Sequence, residues 1–376
     1  MTFFCPLPFT SVDISPDGQT RPCCKFVPNT RHNLQDYWHS KEMRTVRQQL
    51  LAGEPPKQCQ RCVNEEHLSG HSMRMMALRS QPNNDQIQQA QDPDYQQIDQ
   101  ILICTSNVCN LHCLPCVENA SFVRQRELYE LGLISDPPVL LAQKLDLGQI
   151  PYTDQITRVT LVGGEPFLDR QSRQLVDSMI DLGLASRIEL HINTNLTCIE
   201  PVRLALLQQK FNSVTIKGSI DGIGPVNDYL RWPSKWNTIE TAVDHIQTLG
   251  INLVIITALS NLALVHYDQI LDWAQTKGIQ DLFMSKVTTP QELQFDRLPG
   301  HVKQRLLPRF QQRLAEWSGI GRTKFLLETL VEILSLPGCT DDKWQKTLDW
   351  LNLHDQHRGN SWRALWPELV DTTTHD

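Results

Sequence analysis

The residues best placed to do chemistry are cysteines. In C-N-L-H-C-L-P-C, Cys109, Cys113 and Cys116 stand with three and then two residues between them. Three thiolates this close on one loop can hold three corners of an iron–sulfur cubane and leave the fourth iron open, whereas a tetrahedral zinc calls for a fourth protein ligand. His112 is the neighbour that would complete a zinc site, but it adjoins Cys113 and would have to fold back. Spacing therefore favours iron–sulfur over structural zinc. A second set comprises Cys5, the pair Cys23-Cys24, and C-Q-R-C with Cys59 and Cys62. Four thiolates from three separate places close a full coordination shell, either a four-thiolate zinc site or a fully ligated cluster, and spacing does not separate these two.

Three further motifs carry polar groups. Gly163-Gly164-Glu165-Pro166 joins a flexible backbone to a carboxylate able to hold an ammonium group. Thr194-Asn195 and Ser219-Ile220-Asp221-Gly222 offer hydroxyl, amide and carboxylate partners for a sugar's hydroxyls.

The elements that must position these motifs read as repeated β–α units around a parallel sheet. Strands are expected at 98–104, 156–162, 187–193, 213–220, 251–259 and 279–287, and helices at 117–131, 169–183, 199–210, 236–249 and 264–277. Every motif above follows a strand, the end where barrel enzymes keep their active sites. In 213–221, Thr215, Lys217, Ser219 and Asp221 alternate with apolar residues, and Glu189, His191, Asn193 and Asn195 do so in 187–195. One face of these strands is thus expected to meet water or a ligand. The fold class is α/β: a partial (β/α)6 TIM-like barrel at 97–290, a small N-terminal cysteine-rich metal-cluster domain at 1–80, a Gln-rich linker at 81–96 and a helical C-terminal extension at 291–376. An open doubly wound sheet is the competing architecture. Pro6, Pro8, Pro16, Pro22 and Pro28 interrupt long elements in the first domain, which is expected to need its metal to fold. Trp317, Trp344, Trp350, Trp362 and Trp366 are expected as core in the extension, with its histidines solvated.

At 376 residues the chain can bury a full core and carry an accessory module. A net charge of −7 argues against a broad nucleic-acid or membrane footprint, and no apolar run reaches the roughly 18 residues of a membrane span. MTFFCPLPF has no secretion-signal pattern, so the cytoplasm is expected, where eleven cysteines read as metal or redox chemistry sooner than as disulfides.

The ordered set resembles the radical S-adenosylmethionine (SAM) superfamily over about residues 97–290, on Cys109, Cys113 and Cys116, the GGEP segment and the strand-end Ser219-Ile220-Asp221-Gly222. The resemblance implies a [4Fe-4S] cluster whose open iron binds SAM, and reductive cleavage to a 5′-deoxyadenosyl radical that takes a hydrogen atom from substrate. It assigns Gly163, Gly164 and Glu165 to the SAM amino group, and Ser219 with neighbouring Asn195 and Asp221 to the ribose side. It also makes Cys198, with Cys104, a candidate thiol hydrogen donor beside the plainer reading of a buried free cysteine, and Asp221 a candidate base. Cys5, Gly18, Cys23, Cys59 and Cys62 look like the first half of a SPASM domain, shortened as in a twitch domain, which implies an auxiliary [4Fe-4S] cluster; Cys24 is an alternative ligand to Cys23. By the same resemblance the substrate is a peptide, a protein side chain or another sizeable metabolite, and the electron donor a flavodoxin or ferredoxin. An iron–sulfur carrier without SAM turnover and a zinc-stabilised binding module are the rival readings.

Overall fold

The computed structural model describes residues 3–69, 72–80, 84–94, 98–145, 147, 150, 154–317 and 322–370. They form two compact units: Met1–Asn107 with Leu141–Ile192 and Leu207–Val214, and Val108–Leu140 with Asn193–Leu206 and Thr215–Asp376.

In the first unit, strands β1 (Ser11–Ile14), β2 (Thr20–Arg21), β3 (Gln100–Cys104), β4 (Arg158–Val162) and β5 (Glu189–Thr194) lie in the order β2-β1-β3-β4-β5. β1, β3, β4 and β5 run parallel, and β2 pairs antiparallel with β1. The register sets Ile14, Ile103, Leu161 and Ile192 level, all buried. Removing such aliphatic side chains from water contributes about 1.5–3 kcal/mol each before ordering costs. The alternate face carries Leu102, Thr160 and His191, half-buried, level with Asp13. One strand face is therefore apolar and the other mixed, as the alternation in β5 requires.

The cysteine-rich segment is less separate than composition suggested. Its strand β1 extends the sheet, and a hairpin leads into β2: Ser15 N–H donates to Gln19 O at 2.9 Å, and Gly18, at φ +79°, donates to Ser15 O at 2.9 Å. The stretch 81–96, expected as a Gln-rich linker with a helix as its alternative, contains the helix Asn84–Ala90, which buries Ile87. The prolines named above all precede residue 29, which leaves room for the helix Lys41–Leu51, capped by Ser40 accepting Met43 N–H.

In the second unit, β6 (Ser213–Ser219), β7 (Asn252–Leu259) and β8 (Asp281–Lys286) are parallel, with Ile216 level with Leu253 and Ile256 with Phe283. Helix Trp236–Thr248 buries Ile239, Ala242, Val243 and Ile246, the i, i+3, i+4, i+7 stripe of an amphipathic helix. All six expected strands and all five expected helices are present, the strands within two residues of their expected bounds. The C-terminal region forms helices Gly300–Glu316, Arg322–Ser335 and Asp341–Arg358, and Trp344, Trp350, Trp362 and Trp366 are core. The expectation of solvated histidines fails at His354, which is 0% exposed. No helix among the described residues is long and apolar enough to cross a membrane.

Candidate functional site

Cys5, Cys23, Cys59 and Cys62 line one pocket in the first unit, with Lys25 and Arg74 among its other walls. Local chemistry explains the gathering. Pro56 opens a short 3-10 turn, Lys57–Cys59, that runs into helix Gln60–Ser69, so Cys59 and Cys62 sit three apart on consecutive turns. Pro22 brings Cys23 in after the hairpin, and Cys24, beside it, is exposed and does not line the pocket. Burial pushes all four thiols up, and their mutual repulsion as thiolates adds to this at Cys5, Cys23 and Cys59; Cys59 reaches about 12. Arg74 opposes the shift at Cys59. A set of soft sulfur donors that water cannot stabilise as anions, beside cationic side chains, fits a metal cluster, whose binding deprotonates the thiols.

The GGEP turn lies in the same unit. Gly163, at φ +140°, follows β4, and a Cβ there would meet Ser106 O at 2.6 Å and Cys104 Sγ at 3.1 Å. Gly164 N–H donates to Ser106 O at 3.1 Å. The close approach that Gly163 permits is thus to the chain leaving β3. Glu165 is fully buried, and its Oε1 accepts Phe167 N–H at 3.1 Å. Asp169 caps helix Arg170–Asp181 through Gln171 and Ser172 N–H, and also accepts Thr105 Oγ1–H.

The three-cysteine loop belongs to the second unit. His112 and Leu114 donate their N–H groups to the carbonyls of Trp232 (2.6 Å) and Leu230 (2.8 Å), and Cys116 N–H donates to Cys113 O at 3.1 Å. Asn195 Nδ2 donates to Asn110 Oδ1 at 2.9 Å and lies 3.9 Å from Cys109 Sγ, while its Oδ1 accepts Thr197 N–H at 2.9 Å. Leu196 holds a left-handed backbone at φ +66°, which is costly for a bulky residue, and its side chain fills the space over Gly218. Cys198 is half-buried, its Sγ 3.6 Å from Thr197 Oγ1, and Ser219 is half-buried at the end of β6. Burial pushes the thiol of Cys113 up to about 11 against the lowering charge of Arg231, and burial with the neighbouring cysteines pushes Cys116 to about 12. This donor set also fits a cluster by its chemistry. Among the described residues no three His, Cys, Asp or Glu side chains are gathered as ligands of a single metal ion.

Asp221, expected on the ribose side or as a base, is bonded to donors of the protein itself. It is 0% exposed; Oδ1 accepts Ala258 N–H at 2.7 Å and Oδ2 accepts from Arg231 Nη1 at 2.8 Å. Each of its oxygens thus accepts from a protein donor, Arg231 on one side and the backbone of Ala258 on the other.

Behind the loop lies a charged network that sequence reasoning missed. Glu127 takes both Arg358 Nε (2.6 Å) and Nη2 (2.7 Å), and also Arg124 Nη1. Burial raises the Glu127 carboxyl, but the hydrogen bonds and charges of Arg358 and Arg124 outweigh it and hold the group at about 2. His354 Nε2 faces Arg124 Nη1 at 2.9 Å and Nδ1 faces Trp350 O at 2.8 Å, a pattern met by neutral imidazole with the proton on Nδ1; burial, then Arg124, depress it to about 3. Arg358 also donates to His112 O and lies over the Trp232 ring. The available signal was the i, i+4 pair His354 and Arg358 among buried tryptophans on the last helix.

Residues 5–63 match the model of SPASM, an iron–sulfur cluster-binding domain, over the stretch that holds Cys5, Cys23, Cys59 and Cys62. None of the curated proteins matches the chain. Solved structures similar to it include native anSMEcpe with bound AdoMet, at 15% identity and a TM-score of 0.44, covering 58% of this chain and 61% of that one. Streptococcus suis SuiB bound to S-adenosylmethionine is similar at 13% identity and a TM-score of 0.40, covering 73% and 62%. SuiB bound to precursor peptide SuiA gives 13%, 0.39, 72% and 64%. The chain thus spans less than two thirds of the length of each.

Proposed function

We propose that this chain is a radical SAM enzyme with an auxiliary iron–sulfur cluster, acting on a peptide, a protein side chain or another sizeable metabolite. One observation carries the reading. Cys109, Cys113 and Cys116 share a loop in which His112, the side chain a zinc site would need, is turned against Trp232 at 5.0 Å between ring centres, with Nδ1 3.9 Å from Glu127. Three sulfurs without that fourth donor suit a cubane with one open corner.

Cys109, Cys113 and Cys116 would hold the catalytic [4Fe-4S] cluster, and Cys5, Cys23, Cys59 and Cys62 the auxiliary one. When bound, the clusters and SAM supply one-electron reductive cleavage of the sulfonium and hydrogen-atom abstraction from substrate. The protein's own part is binding, orientation and exclusion of water. Glu165, with the Gly163-Gly164 backbone, would take the SAM amino group, and Ser219 the ribose side. Asn195, whose Nδ2 lies 3.9 Å from Cys109 Sγ, would help to orient that ligand. Leu111 and Leu114, buried within the loop itself, would keep water from it. Cys198 is the candidate thiol for returning a hydrogen atom to substrate. The SPASM match supports a peptide substrate by analogy of module. A flavodoxin or ferredoxin would supply the electron.

The test is anaerobic reconstitution with iron and sulfide, followed by dithionite and SAM. The expected product is 5′-deoxyadenosine; its absence from protein with a loaded three-cysteine site ends the reading.

A further inference from the structure

The segment Leu230–Trp232 runs antiparallel along the three-cysteine loop. Its two carbonyls, of Leu230 and Trp232, take the N–H groups of Leu114 and His112, which sets Arg231 level with Cys113 between the two bonds. The guanidinium is nearly buried, with a side-chain exposure of 11%. Nη1 is fixed by Asp221 at 2.8 Å, and Asp221 is itself fixed by Ala258 N–H. Nε is a buried donor with no hydrogen-bond partner in the protein. A charged group's N–H left unsatisfied in the interior is destabilising, so a ligand that accepts from it would relieve that cost.

We propose that Arg231 is a positioning residue that sets the reduction potential of a cluster held by Cys109, Cys113 and Cys116, by fixing one positive charge and one unspent N–H against the sulfur of Cys113. The proposal rests on the radical SAM reading above. Its physical basis is charge balance: one-electron reduction adds one negative charge to the cluster, and a nearby buried cation stabilises that form more than the oxidised one. Hydrogen bonds to the sulfurs and local net charge are the protein's main levers on such potentials. Arg231 pairs with Asp221, so the net charge of the couple is near zero; what remains is a dipole whose positive end is the level of Cys113.

The test is an EPR-monitored redox titration of full-length reconstituted protein, wild type against Arg231→Met and Arg231→Lys. The signal that added SAM perturbs is assigned to the three-cysteine loop, which separates it from the auxiliary cluster. At a fixed poise near the wild-type midpoint, Arg231→Met is expected to lower the reduced-to-oxidised ratio about tenfold, which converts to about 1.4 kcal/mol. Arg231→Lys, which keeps the charge, restores most of it. Asp221→Asn, which keeps the shape and removes the negative charge paired with the guanidinium, serves as the second variant should Arg231→Met load poorly, and is expected to raise the reduced-to-oxidised ratio at the same poise. Unmoved midpoints in variants of equal iron and sulfide content overturn the proposal. Wild-type protein with no SAM-perturbed signal overturns the radical SAM reading itself, and with it this inference.

Discussion

Asp221 and Arg231 form a buried ion pair in which one carboxylate oxygen meets the guanidinium at 2.8 Å and the other takes the N–H of Ala258 at 2.7 Å. The pair links the exit of β6 to the segment that clamps the three-cysteine loop. Breaking one side of a buried pair leaves an uncompensated charge, which costs more than the pair itself contributes. Asp221→Asn keeps the shape and removes the charge, and is expected to lower the unfolding free energy by about 3 kcal/mol. Chemical denaturation of the metal-free protein measures it; a change under about 0.5 kcal/mol, the level of an ordinary surface substitution, would show that the pair is not a structural anchor.

The network around Glu127 predicts acid sensitivity with a defined window. His354 is held below its ordinary value, at about 3, so its neutral form is favoured in the folded state. Its contribution is complete above about pH 6.5 and drains away as pH falls toward 3. Glu127 is held at about 2, so its contribution is complete above its ordinary value near 4.5 and is lost as pH falls through 2. Stability should therefore fall from pH 6.5 downward by an order of a few kcal/mol, and fall further below pH 4.5. His354→Gln is expected to flatten the upper part of this loss, and Glu127→Gln the lower part. Urea midpoints from pH 7 to 4 decide it: an unchanged pH slope in His354→Gln rules the imidazole out as the source.

Much of this was legible in the sequence because period and spacing are local properties. The six strands were visible from short apolar runs, and the two cysteine sets from spacing alone. What the sequence did not reveal was pairing at a distance. β1, four residues long, shows its role only through its register beside β3, where Ile14 stands level with Ile103. Gln-rich composition pointed to a linker at 81–96, but one apolar residue, Ile87, was enough to dock a short helix. Asp221 looked like a ligand group because its partner Arg231 lies ten residues on, and charge complementarity across a turn leaves no periodic trace. His354 looked solvated because its partner Arg124 is 230 residues away, and Arg358 gave no sign of Glu127, 231 residues away.

The Gly163 position predicts a backbone penalty. At φ +140° with Ser106 O 2.6 Å from a virtual Cβ, alanine is both strained and clashing, and the neighbour is main chain that cannot rotate away. Gly163→Ala is expected to cost more than about 2 kcal/mol and to disturb the adjacent Gly164 bond to Ser106. Gly183→Ala, in an open turn at φ +71° with nothing within 4 Å, is the control for backbone strain alone. Thermal unfolding of both variants separates the two effects: equal losses would mean that contact with Ser106 adds nothing.

The pair Cys23-Cys24 offers the sharpest check on the N-terminal cysteine set. Adjacent residues in an irregular segment differ in direction, and only Cys23 lines the pocket with Cys5, Cys59 and Cys62; Cys24 is exposed. A cluster needs its ligand thiolates converging from the pocket walls, and second-best ligands reached by backbone movement give sites that load poorly or lose iron. Cys23→Ser is therefore expected to lose the auxiliary cluster, about four irons per chain, while Cys24→Ser keeps it. Because the pocket lies among hydrophobic and proline-rich walls that pack around it, Cys23→Ser should also lower the thermal midpoint of the loaded protein, and chelator treatment of wild type should reproduce that loss. Iron and sulfide counts on anaerobically purified variants, with thermal unfolding in parallel, test both halves. Equal iron in Cys23→Ser and wild type, with loss in Cys24→Ser, would reverse the ligand assignment and require the segment after Pro22 to turn over on binding.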